Sequence, residues 1–216
     1  MRIRCLRILS LMLLTVSPWV PSAFGTPVPA VISFSTTSFA LSADNPAAVI
    51  GWRFTPSAGI SVTALGWWDR YPSDPLGVTH DVGIWTDSGT LLASTTILTN
   101  SHLTGEFRYE PITPLTLTTG QVYRIAGVRP LGNPAHYAVV NVSTGSVTAA
   151  PEIQNIGFAG LGNVPGLVFP STTVPDVIAR IGPNFLFETP VPEPSTLLPV
   201  GLGLCAVVLR LSRRRS

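Results

Sequence analysis

Lysine is missing from this chain altogether, and cysteine is missing from everything between Cys5 and Cys205. Without lysine, a phosphate loop ending in Gly-Lys-Ser/Thr cannot be built. Without cysteine, the central region can hold neither a disulfide nor a thiolate metal site. Charge is sparse too, at 11% of residues, and its distribution matters more than its total. Seven of the 13 Arg lie at the two ends: Arg2, Arg4, Arg7, Arg210, Arg213, Arg214 and Arg215. Between Thr26 and Pro190, six Arg face ten Asp plus Glu, a net charge of −4. That balance removes the electrostatic footprint of nucleic-acid binding. Sustained helical periodicity is also lacking: outside the ends, no window of about 12 residues repeats at 3.6.

What the chain does have is punctuation. Gly (19) and Pro (21) are well above ordinary usage, which implies many turns. Because 45% of residues are hydrophobic and fall in short alternating runs, the excess does not imply disorder. A length of 216 residues suits one ordinary domain with a sizeable core.

The two ends read as targeting segments. Three Arg within Met1–Arg7 precede the apolar stretch Ile8–Val16, and small residues follow, as in a secretory signal peptide. Residues 1–25 are assigned to it, with cleavage expected near Gly25 and Ala23 as the alternative. Nine residues reach only about 14 Å, too short for a membrane span. At the other end, the Pro-rich stretch 183–194 reads as a linker ending in Pro192-Glu193-Pro194. Residues 195–216 follow, with an apolar run from Leu197 to Leu209, then Arg210 and the cluster Arg213-Arg214-Arg215. This is a short transmembrane helix with a cytoplasmic basic end.

Pro-Glu-Pro, short apolar helix and terminal Arg cluster together resemble the PEP-CTERM sorting signal of Gram-negative bacteria, over Val191–Ser216. The resemblance implies recognition by an exosortase, with cleavage near Pro-Glu-Pro after signal peptidase has acted at the front. It implies a destination at the cell surface or in an extracellular polysaccharide layer, with membrane attachment through the tail before processing. The plain alternative is a C-terminal anchor.

The centre, residues 26–182, reads as all-β, a β-sandwich or its jelly-roll variant. Phe107 and Tyr109 alternate with Glu106, Arg108 and Glu110, and Val78, His80, Val82 and Ile84 share one strand face. Asp87-Ser88-Gly89 then turns the chain into Leu91–Ile97, with Gly89 placed for the positive φ of a hairpin. Further strands are expected at 32–41, 48–54, 61–68, 115–117, 121–128 and 136–142, with a closing pair at 177–181 and 185–188. The stretch Gly157–Gly166 reads as a glycine-rich loop. The runs Val62–Asp69, His80–Trp85, Gly89–Ala93 and Leu117–Tyr123 resemble an uncharacterised β-sandwich domain of bacterial surface proteins. That likeness supports the fold and carries no site residues.

Reactive constellations are weak. His80 and Asp81 are adjacent on a strand and point to opposite faces, so His80 is expected to be a core histidine. His102 and His136 lack zinc spacing, and no Gly-x-Ser-x-Gly occurs. Glu106 and Glu110 are about 13 Å apart along a strand, too far for paired glycosidase carboxylates, and read as solvated edge charges. No cofactor is expected; calcium at Asp69, Asp74, Asp81 and Asp87 is the weaker alternative, since no Asp-x-Asp-x-Asp-Gly loop is present. The best recognition candidate is the aromatic segment Trp67, Trp68, Asp69 and Tyr71, where rings and a carboxylate could contact sugars. Strand alternation sends only one of the two Trp inward. The expected function is therefore non-catalytic adhesion or carbohydrate contact, with an exported polysaccharide hydrolase or a structural spacer as alternatives.

Overall fold

In the computed structural model, the described residues are 24–36, 38–40, 47–73, 76–130 and 137–191. Residues before Phe24 and after Val191 lie outside them, and with these most of the expected signal peptide 1–25 and the expected tail with Pro192, Glu193, Pro194, Arg213, Arg214 and Arg215. Phe24–Val191 forms one compact unit. In chain order its strands are β1 (Val28–Pro29), β2 (Val31–Ser35), β3 (Ser38–Ala40), β4 (Ala48–Pro56) and β5 (Ile60–Trp68). Next come β6 (His80–Thr86), β7 (Leu91–Ile97), β8 (His102–Thr104), β9 (Phe107–Leu117) and β10 (Tyr123–Arg129). The chain closes with β11 (Tyr137–Asn141), β12 (Ser146–Ala149), β13 (Ile153–Gly162), β14 (Val177–Ile181) and β15 (Pro183–Glu188). No helix occurs among the described residues.

The protein is all-β. One five-stranded sheet runs β1-β15-β5-β9-β8 and the other β13-β4-β10-β6-β7, with smaller pairings β14-β11-β3 and β12-β2. The two large sheets share one core, consistent with a β-sandwich. Trp52 of β4 stacks on Phe185 of β15 at 5.7 Å, and its indole N–H donates to the Pro183 carbonyl at 2.9 Å. Phe54 lies 4.9 Å from the same Phe185 ring. Burying such rings supplies about 2–3 kcal/mol each, the largest single contributions to a core.

The outer faces are covered as well. Over the first sheet, β2 lays Val31 against Asn184 and Phe34 edge-on against Trp68 at 5.3 Å. Over the second, the segment 163–176 packs Val164, Leu167 and Phe169 onto Val49, Trp85, Ala126 and Val128. Arg124 fastens that segment: its guanidinium sits 4.8 Å from the Phe169 ring centre and donates to the Pro170 and Ser171 carbonyls. The same guanidinium is ion-paired with Asp87 at 2.7 Å.

Two stretches differ from what their glycine and proline content suggests. Gly157–Gly162 is not loop but the second half of β13, hydrogen-bonded to β4 from Gly157↔Arg53 to Gly162↔Ala48. Its glycines mark close packing: a Cβ on Gly160 would stand 2.9 Å from the Val49 carbonyl oxygen. The linker expected from residue 183 does not begin there either, because Pro183–Glu188 is β15, an interior strand paired with both β1 and β5. Proline is tolerated at the first residue of a strand, where no ladder donor is lost. The domain accordingly runs to Val191 rather than 182.

Candidate functional site

The predicted aromatic segment sits at one end of β5. Trp67 faces the core, fully buried, and stacks parallel on His80 of β6 with ring centres 3.9 Å apart. His80 Nδ1 donates to the Val128 carbonyl at 3.0 Å. Burial pulls the imidazole pKa down to about 4, against the opposing pull of that hydrogen bond and of Asp81. Asp81 points the other way and accepts from Thr96 Oγ1.

Trp68 points to the opposite face of its sheet and is buried too, at 5% exposure. Alternation does send only Trp67 inward, but the layer formed by β2 covers Trp68 as well, with Phe34 against the ring and Glu106 Oε2 accepting from Nε1 at 3.4 Å. A buried indole offers no face to a sugar, so Trp67 and Trp68 are core residues and not contact residues.

Asp69 is equally withdrawn. Its Oδ2 is ion-paired with Arg108 Nε at 2.7 Å, and its Oδ1 accepts from the Tyr71 amide at 3.1 Å. Arg108 also donates to the Ser101 carbonyl, and Ser101 Oγ donates to Glu110. Glu110 is thus half-buried in a network rather than a solvated edge charge. The Asp69–Arg108 pairing joins residues 39 apart in sequence and left no sequence signal beyond the charge alternation of β9. Of the four expected contact residues only Tyr71 reaches solvent, 53% exposed, with the Arg70 guanidinium 5.4 Å from its ring centre.

The aspartates expected for calcium do not converge. Asp69 is paired with Arg108, Asp87 with Arg124, and Asp81 is bonded to Thr96, each on a different element. Asp74 and His136 lie outside the described residues, and His102 is an exposed residue of β8. Among the described residues, no group of three His, Cys, Asp or Glu could hold a metal ion.

A family model described as a domain of unknown function, DUF4082, matches residues 35–176, more than half of the chain. The chain belongs to the DUF4082 family. No curated protein matches it. The DUF4082 match spans β3 to β13 and stops short of β14 and β15, so the strand that supplies Asn184 and Phe185 lies beyond it.

Proposed function

We propose that this DUF4082 protein is an exported, non-catalytic module, sorted by a PEP-CTERM signal and retained at the cell surface or in extracellular polysaccharide. Signal peptidase and an exosortase are its processing partners in this reading. The observation that carries it is the separation of the chain exit from the aromatic loop. β15 pairs antiparallel with β5, Pro183↔Trp67 and Glu188↔Ser61, so β15 ends about 23 Å from Trp68, near the far end of β5, and the chain exits soon after at Val191. The loop 69–73 lies at the opposite end of β5 from that exit. There Tyr71 and Arg70 form the contact surface, on a base held by the Asp69–Arg108 pair.

The test is co-sedimentation of the full chain with the producing cell's own exopolysaccharide. Tyr71→Ala should weaken retention at least tenfold while the thermal midpoint stays unchanged. Equal retention of variant and parent would remove the contact role and leave the spacer reading. Sorting is tested separately by peptide mapping of the surface-exposed protein, where peptides from Leu197–Ser216 should be missing. An intact tail in the mature pool would reduce it to an ordinary anchor.

A further inference from the structure

A second feature lies on the other large sheet. Between β13, β14 and the segment 163–176 opens a cleft of about 290 Å³, at the small end of the range of ligand pockets. Ile156, Phe158, Val174 and Ile178 give it apolar walls, and one cation, Arg53 of β4, lines it. The cleft owes its shape to a bulge in β13. The register slips between Gln154 and Gly157, and Asn155 takes a left-handed backbone with φ 53. Bulges re-aim side chains in this way and recur beside binding sites.

Arg53 is the informative residue. It is exposed, and among the described residues it has no ion-pair partner, while its cross-strand neighbour Arg124 is already engaged by Asp87. The guanidinium of Arg180 of β14 lies 4.9 Å from the Phe158 ring centre but does not line the cleft. Apolar walls beside one exposed cation complement an apolar body with a single anionic head. Gly157 makes the room for this: a Cβ there would stand 2.8 Å from Arg53 Nε.

From this geometry we infer that the cleft binds a small amphiphile with a single anionic head, of the medium-chain carboxylate class. The head meets the Arg53 guanidinium in a charge-assisted hydrogen bond, and the chain lies along Ile156, Phe158, Val174 and Ile178. This site is independent of the loop at Tyr71.

Calorimetric titration of the purified full chain with decanoate, decanol and acetate tests the assignment. Decanoate should bind, decanol at least tenfold more weakly, and acetate not measurably, since head and body are both required. Arg53→Gln should bring decanoate down to the level of decanol. Gly157→Ala should weaken decanoate as well, by pushing the flexible guanidinium aside without altering its charge. The end segments are common to all variants, so these differences report on the cleft alone. Equal affinity for decanoate and decanol, no binding of decanoate, or variants that bind like the parent would each overturn the inference.

Discussion

His80 shows how a core changes a residue's chemistry. Enclosed between Trp67 and the Val128 carbonyl, its imidazole takes up a second proton only below about pH 4, whereas an unfolded chain takes it up near 6.5. Between those values the unfolded state binds more protons than the folded one, so stability falls as pH falls through that window. The loss accumulates to about 3 kcal/mol and adds nothing further below pH 4. Denaturant unfolding at pH 7 and pH 4 should show it, and His80→Phe should flatten that part of the profile. Parallel profiles for variant and parent would mean that another group carries the acid sensitivity. Asn184 is the opposite case, a polar side chain at 0% exposure with every group satisfied. Its oxygen accepts from the Val31 and Phe185 amides, and its nitrogen donates to the Val31 carbonyl and the Tyr109 hydroxyl. Burial of that hydroxyl pushes the Tyr109 pKa up, so the phenol stays neutral. Asn184→Leu should cost about 3 kcal/mol or more in chemical denaturation, because the amides and carbonyl it serves stay buried without partners.

On the scale of the strand, β15, β5 and β9 bring Asn184, Gly66 and Tyr109 abreast. Gly66 has no side chain, so the Tyr109 ring lies across it and its hydroxyl reaches Asn184. A Cβ at Gly66 would stand 2.4 Å from the ring and 2.8 Å from the Arg108 carbonyl oxygen. Gly66→Ala should therefore destabilise the protein by about 2 kcal/mol. Combined with Tyr109→Ala it should cost clearly less than the two changes separately, a coupling that a double-mutant cycle measures. Strict additivity would show that the ring is not what the methyl group displaces. Strands with period-two patterning, such as β5 and β6, were legible in the sequence, and so was the hairpin at Gly89, whose φ is 99. β13 and the first residues of β15 were not legible, because glycine and proline read as punctuation. Only the neighbouring strand shows that Gly160 is packed against the Val49 backbone.

At the largest scale, the unit Phe24–Val191 is closed by its own two ends. Phe24 bridges to Pro190, the Gly25 amide donates to the Thr189 carbonyl at 3.0 Å, and β1 continues the pairing along Leu186 and Phe187. Deleting residues 26–30, which remain after cleavage near Gly25, should lower the thermal midpoint and leave the β15 edge unpaired, ready to recruit a second chain. Size-exclusion chromatography should then show concentration-dependent association. A monomer of unchanged stability would show that the clasp is dispensable.

The amino-acid sequence alone determined the all-β class, the absence of thiol chemistry from the centre and the mildly acidic charge of the domain. Each depends on composition or on a local period of two, and neither needs distant residues to meet. Tertiary structure decided which aromatic rings see water. Trp68 is buried because β2, more than thirty residues earlier, covers its sheet. Asp69 is withdrawn because Arg108 meets it from another strand, and the cleft at Arg53 exists because β13, over a hundred residues later, bulges beside it. Burial and charge pairing depend on what arrives from elsewhere in the chain, and a local pattern carries no record of that.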